Sequence, residues 1–129
     1  MAGIINWYGI TDVGELLDGP NMRTYAVGWL AGLTNREEIA QRVSPLHYVR
    51  PGLPPILSIH GDADPTVPYT QAVRFHEALS KARVPNQLLT IPGGKHGGFT
   101  RAEMLKIYAT IQDFLGKLNL IAGYSKATR

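Results

Sequence analysis

Short unbroken apolar runs alternate along this chain with longer stretches of helical period. Residues 3–8 (Gly-Ile-Ile-Asn-Trp-Tyr), 55–60 (Pro-Ile-Leu-Ser-Ile-His) and 87–91 (Gln-Leu-Leu-Thr-Ile) have the length of strands. The middle run is apolar at nearly every position, which suits a strand covered on both faces. Between the second and third runs, Ala72, Phe75, Leu79 and Ala82 recur at helical spacing. They predict a helix that Thr70 can cap and that ends near Ala82. After the third run, Met104, Tyr108, Ile111, Leu115 and Leu118 form a second such stripe. Thr100 and Glu103 stand at capping-box spacing before it. Strands alternating with helices predict βαβ units, hence an α/β domain with three parallel strands and flanking helices.

Residues 18–50 break this alternation and read as an irregular, mainly helical insert. Asp12 with Glu15 and Thr34 with Glu37 have capping-box spacing, the second opening a helix near 36–43. Ser44-Pro45 places an N-cap residue before a proline at the first helical position. The 50–55 segment, Arg-Pro-Gly-Leu-Pro-Pro, is a stiff connector that cannot continue a helix. The expected organisation is one partial domain over 1–118 and a loose tail over 119–129.

Composition narrows the function classes. The 129 residues fit a single domain, with 44% hydrophobic and 18% charged residues. Thirteen basic and 10 acidic residues give a net charge of +3, spread without long runs of one sign. That weighs against a nucleic-acid or membrane partner. No apolar run reaches the roughly 18 residues of a membrane helix. There is no cysteine, so disulfides, thiolate zinc sites and cysteine nucleophiles are excluded from these residues. Zero cysteines fits a reducing or an oxidising compartment alike and assigns neither.

The candidate chemistry lies in two loops, each after a predicted strand and before a predicted helix. One is His60-Gly61-Asp62-Ala63-Asp64-Pro65-Thr66-Val67-Pro68; the other is Pro92-Gly93-Gly94-Lys95-His96-Gly97-Gly98-Phe99. In an open parallel sheet both sit beyond the carboxyl ends of the strands, where ligands bind. Asp64 lies in a loop stiffened by Pro65 and Pro68 and suits a carboxylate that orients an imidazole. His96, among four glycines, suits an accessible general base. Asp62 competes for the acid role or caps the turn. His60 is read as closing its strand and bonding loop backbone, and His47 and His76 as structural or solvated. His60 and His96 with Asp62 or Asp64 match no metal spacing such as H-E-x-x-H, so no metal and no cofactor is expected. Trp7, Tyr8, Met22 and Trp29 could line a pocket near the strand ends but are read as core.

At these residues the chain resembles the C-terminal half of an α/β-hydrolase-fold serine hydrolase, of the esterase/lipase-like or prolyl-oligopeptidase-like branch. The motif H-G-x-x-D-x-x-V-P is matched by His60, Gly61, Asp64, Val67 and Pro68, which favours Asp64 as the catalytic acid. Gly94-Lys95-His96-Gly97 is similar to the loop that carries the family's histidine. The 6–12 segment resembles the strand and loop after the nucleophile unit. The 44–49 segment resembles the motif leading into the acid strand. The resemblance implies that the three strands are equivalent to the family's last three, and that the substrate is a small-molecule ester or a peptide.

The family's serine sits on a G-x-S-x-G elbow, and none occurs here. Ser44, Ser58, Ser80 and Ser125 lack the flanking glycines; Gly28-Trp29-Leu30-Ala31-Gly32 has the glycines but leucine at its centre. The chain is therefore expected to be a fragment, inactive alone, whose upstream half carries the nucleophile. A non-catalytic αβ binding module or a split-enzyme subunit is the alternative.

Overall fold

The computed structural model describes residues 2–121. Three strands, β1 (Ile4–Trp7), β2 (Ile56–Gly61) and β3 (Asn86–Ile91), form one parallel sheet in the order β1-β2-β3. Helices α1 (Thr24–Trp29) and α2 (Arg36–Arg42) lie in the 18–50 insert, α3 (Tyr69–Lys81) joins β2 to β3, and α4 (Arg101–Lys117) follows β3. The expected parallel α/β architecture holds. The tail expected over 119–129 lies outside the described residues from 122 onward.

The pleat sorts side chains onto two faces. On one, Leu57, Ile59 and Ile91 pack against Ile107 and Phe114 of α4. On the other, Ile56 packs against Phe75 and Leu79 of α3. All six β2 residues are buried, as its apolar run requires. The insert packs Ala26, Leu30 and Ala40 against Val13, Leu16 and Leu17 in a separate small core. The buried amide of Gln71 fastens the chain after β1 to α3: its Oε1 accepts from Thr11 N (3.0 Å), and its Nε2 donates to the Asp12 carbonyl (2.8 Å).

Several local expectations are corrected. Thr100 and Glu103 form a full capping box, but Thr34 and Glu37 do not. Asn35 stands at the start of α2 instead, and Glu37 pairs with Arg36. Thr70 does not cap α3, which opens at Tyr69 behind Pro68, two residues earlier than a Thr70 cap would give. Ser44 leads into a 3-10 helix (Pro45–Tyr48) without capping it. Its hydroxyl donates to the Ala40 carbonyl and accepts from Val13 N. On α4 the expected stripe holds at Met104, Ile111, Leu115 and Leu118, which pack partly buried beside the buried Ile107 and Phe114, while Tyr108 departs from it at 53% exposed.

A polar chain crosses the α3 face of the sheet. The buried Ser58 hydroxyl accepts from Asn6 Nδ2 (3.1 Å) and lies 2.7 Å from His76 Nε2. His76 Nδ1 lies 2.9 Å from Asn86 Oδ1. An amide oxygen only accepts, so Nδ1 carries the proton and Nε2 accepts from Ser58. Burial pushes the His76 pKa down, partly opposed by Asn86. In the unfolded chain the ring takes a proton near about pH 6.5, while in the fold it resists. The unfolded state thus binds more protons, and stability falls as the pH drops through 6.5 toward the lower folded-state value. One such ring contributes a slope of at most about 1.4 kcal/mol per pH unit. Urea midpoints measured from pH 8 to pH 5 should fall for the native chain and fall less steeply for His76→Gln.

Candidate active site

β2 and β3 end level, with Gly61 paired to Ile91, so their following loops leave the sheet side by side. Backbone bonds then stitch the loops together. Asp62 N donates to the Ile91 carbonyl (3.2 Å) and Ala63 N to the Gly94 carbonyl (3.0 Å). Gly93 N donates to Asp62 Oδ1 at 2.7 Å. This approach is so close that a β-carbon on Gly61 would run into the Gly94 carbonyl. Gly93, Gly97 and Gly98 have φ values of +68°, +91° and +66°, the left-handed region that glycine enters without strain.

The stitched loops bring Asp64 and His96 together. His96 Nδ1 lies 2.8 Å from Asp64 Oδ2. The Asp64 side chain is fully buried, and that of His96 is one-third exposed. Oδ1 of Asp64 accepts from Thr66 N (2.8 Å) and Val67 N (3.0 Å), so the acid loop folds around its own carboxylate. A carboxylate at Nδ1 fixes the proton there and leaves Nε2 as the lone-pair nitrogen. Asp62 holds the loop junction, as its capping alternative anticipates. His60 Nε2 donates to the Val67 carbonyl (3.1 Å), the loop-backbone bond expected of it, and also lies 3.2 Å from Asp64 Oδ2.

His96 stands on the wall of a cavity of about 430 Å³, lined by Trp7, Tyr8, Tyr25, Trp29, Val67 and other residues. Tyr8 leaves β1 with φ +40°, and its ring packs on the imidazole at 4.4 Å between centroids. Tyr25 and Trp29, one turn apart on α1, pack with ring centroids 5.0 Å apart and planes tilted by 52°. The Thr66 carbonyl accepts from Tyr25 Oη (2.8 Å) and Arg23 Nε (3.1 Å), tying the insert to the acid loop. Burial raises the Tyr25 pKa, opposed by Arg23, so the phenol stays a donor. Trp7, Tyr8 and Trp29 thus line a cavity and are not plain core, while Met22 lies outside its lining.

The family described as BD-FAE matches residues 1–79. The chain belongs to the BD-FAE family. It is 27% identical over 119 residues to esterase LipQ of Mycobacterium tuberculosis (strain ATCC 25618 / H37Rv), covering 85% of this chain and 28% of LipQ. It is 29% identical over 96 residues to the acylamino-acid-releasing enzyme of Mus musculus, covering 74% of this chain and 13% of that enzyme. Among solved structures it is similar to Thermogutta terrifontis esterase 2 phosphonylated by sarin. The TM-score is 0.76 and the identity 29%, over 95% of this chain and 46% of the esterase. A truncated carbohydrate esterase from gut microbiota gives a TM-score of 0.74 at 25% identity, over 92% and 42% of the two chains. The chain thus spans less than half the length of each of these relatives. Its three parallel strands and flanking helices are part of an α/β-hydrolase fold.

In this BD-FAE chain none of the three described serines reaches the histidine. Ser44 bonds Ala40 and Val13, Ser58 is buried under α3 against His76, and Ser80 accepts from Asn86 Nδ2. Sequence reasoning missed Tyr25, though its four-residue spacing from Trp29 on a helix was the available signal. It also missed that His60 touches the acid, for which no periodicity exists in a loop. Gly61→Ala should force the loops apart and lower stability by about 1–3 kcal/mol, the usual cost of overpacking. Urea unfolding checks the stability, and an amide spectrum should show the perturbation concentrated at 62–67 and 92–98.

Proposed function

We propose that this BD-FAE chain supplies the acid and the base of a Ser-His-Asp triad that hydrolyses carboxylic esters through an acyl-enzyme. The observation that carries this reading is the 2.8 Å bond from His96 Nδ1 to a fully buried Asp64 carboxylate, beside an aromatic-lined cavity. In the proposed mechanism Nε2 of His96 takes the proton of a serine hydroxyl as its oxygen attacks the ester carbonyl. The same proton then passes to the departing alkoxide. Water, deprotonated in turn by His96, releases the acid and restores the serine. Asp64 holds the ring in the required tautomer and offsets the imidazolium charge. The cavity takes an apolar part of a small-molecule ester. No cofactor enters these steps.

The nucleophile comes from outside the 129 residues, because the described serines are engaged elsewhere and no G-x-S-x-G elbow is present. Within the described residues β1 pairs only with β2. Its other edge, beside a groove lined by Ile4, Ile10, Pro45 and Phe75, is where a serine-bearing half would add its strand. The names of LipQ and of the solved esterases favour ester cleavage. Similarity to the mouse acylamino-acid-releasing enzyme favours a second reading, a serine peptidase of the prolyl-oligopeptidase type.

The purified chain should leave p-nitrophenyl acetate at its background rate. Mixed with a serine-bearing half, it should hydrolyse that ester, and either Asp64→Asn or His96→Ala should lower kcat on the order of 10⁴-fold. Robust turnover by the chain alone, lost in His96→Ala, would overturn the external nucleophile. Undiminished turnover by the assembled pair carrying His96→Ala would overturn the assignment of the base. Trp29→Ala in the same pair should raise KM for esters of bulky apolar acids several-fold and leave acetate nearly unchanged.

A further inference from the structure

His60 has no role in the mechanism above, yet its ring is fully buried at the end of the central strand. Its Nε2 donates to the Val67 carbonyl (3.1 Å) and lies 3.2 Å from Asp64 Oδ2. Its Nδ1 is buried without any hydrogen-bond partner. The ring edge packs on Tyr69 of α3, with centroids 5.8 Å apart. A buried, unpartnered nitrogen costs free energy that an apolar side chain of similar size would avoid. Packing alone therefore does not account for histidine here. What histidine adds is the Nε2 hydrogen, and that hydrogen meets the acid loop at two points.

Both points bear on how Asp64 is held. The Val67 peptide that His60 fastens through its carbonyl also belongs to the residue whose N–H donates to Asp64 Oδ1. The second contact flanks Oδ2, the oxygen that receives His96. Without His60, Asp64 keeps its two amide bonds on Oδ1, and the carboxylate can pivot about them. Oδ2 then swings relative to the imidazole.

We propose that His60 is a positioning residue for the acid–base pair: through the Val67 carbonyl and the flank of Asp64 Oδ2 it fixes the carboxylate so that His96 carries its proton on Nδ1. Burial favours the neutral form of His60, countered by the Val67 carbonyl and Asp64, which matches its single-donor role. The spare Nδ1 means that one N–H at the right reach suffices. Glutamine offers that, since its Nε2 stands as many bonds from Cβ as the Nε2 of histidine. Leucine fills similar space and offers none.

The inference rests on reading Asp64 and His96 as acid and base, but its test needs no turnover, so the two can fail separately. Nitrogen-15 spectra of the full chain report which nitrogen of neutral His96 bears the proton. The native chain and His60→Gln should show the Nδ1–H form. His60→Leu should lower the ratio of Nδ1–H to Nε2–H forms roughly tenfold, the scale of one hydrogen bond to a charged group. Loss of stability alone would not move that ratio. Should His60→Leu fail to fold, His60→Asn takes its place, because its amide ends short of both acceptors. A folded His60→Leu or His60→Asn with the native ratio overturns the proposal. So does a His60→Gln that loses the ratio as fully as the apolar variant.

Discussion

The close approach of two backbones, Gly61 and Gly94, is the constraint on which the rest of this site depends. Parallel pairing of β2 and β3 brings the strand ends level, and the missing β-carbon lets the following loops touch. Three main-chain N–H groups then bridge the loops, two to main-chain carbonyls and one to Asp62. Because three such bonds act together on two adjoining backbones, the relative position of the loops is nearly fixed. Asp64 stands three residues beyond Gly61 and His96 two beyond Gly94. Their 2.8 Å contact is a consequence of the backbone junction more than of any attraction between the side chains.

A rigid junction is what an acid–base pair requires. A histidine base works only if its lone-pair nitrogen faces the substrate, which means the other nitrogen must keep its proton. Here a buried carboxylate, itself held by two amide hydrogens, accepts that proton's bond. The cost of burying the charge is offset by those donors. The insert completes the environment. Through the Thr66 carbonyl, Arg23 and Tyr25 bind α1 to the loop of Asp64, so the aromatic wall and the Asp64–His96 contact share one support. Membership of the BD-FAE family and likeness to solved esterases agree with chemistry of this kind.

The parts of the fold that were legible in the sequence were those with a local cause. The β2 run, apolar throughout, is buried throughout. Thr100 and Glu103 meet as a capping box because both partners belong to the same helical turn. Where two local signals competed, the reading failed. Thr34 and Glu37 had the right spacing, but Asn35 begins the helix. Ser44 looked like a cap, but its hydroxyl is taken by Ala40 and by Val13, 31 residues away. On α4, Tyr108 and Phe114 were both available to face the sheet, and only the packed sheet chose between them.

The sequence by itself determined three strands, the helices between them, and two loops rich in the residues that turns demand. Prolines and glycines also marked out one imidazole and two competing carboxylates, and the motif shared with the hydrolases favoured Asp64 over Asp62. Tertiary structure alone decided that Asp64 and His96 touch, across 32 residues of chain. It decided that Tyr25 reaches over to Thr66, 41 residues away, and encloses a cavity at the histidine. It decided that His60, outwardly a strand-end residue, lies buried against the acid. The reason is physical. Turn and helix signals act over a few residues, whereas these contacts arise when distant segments are packed onto one sheet, and no local pattern encodes that register.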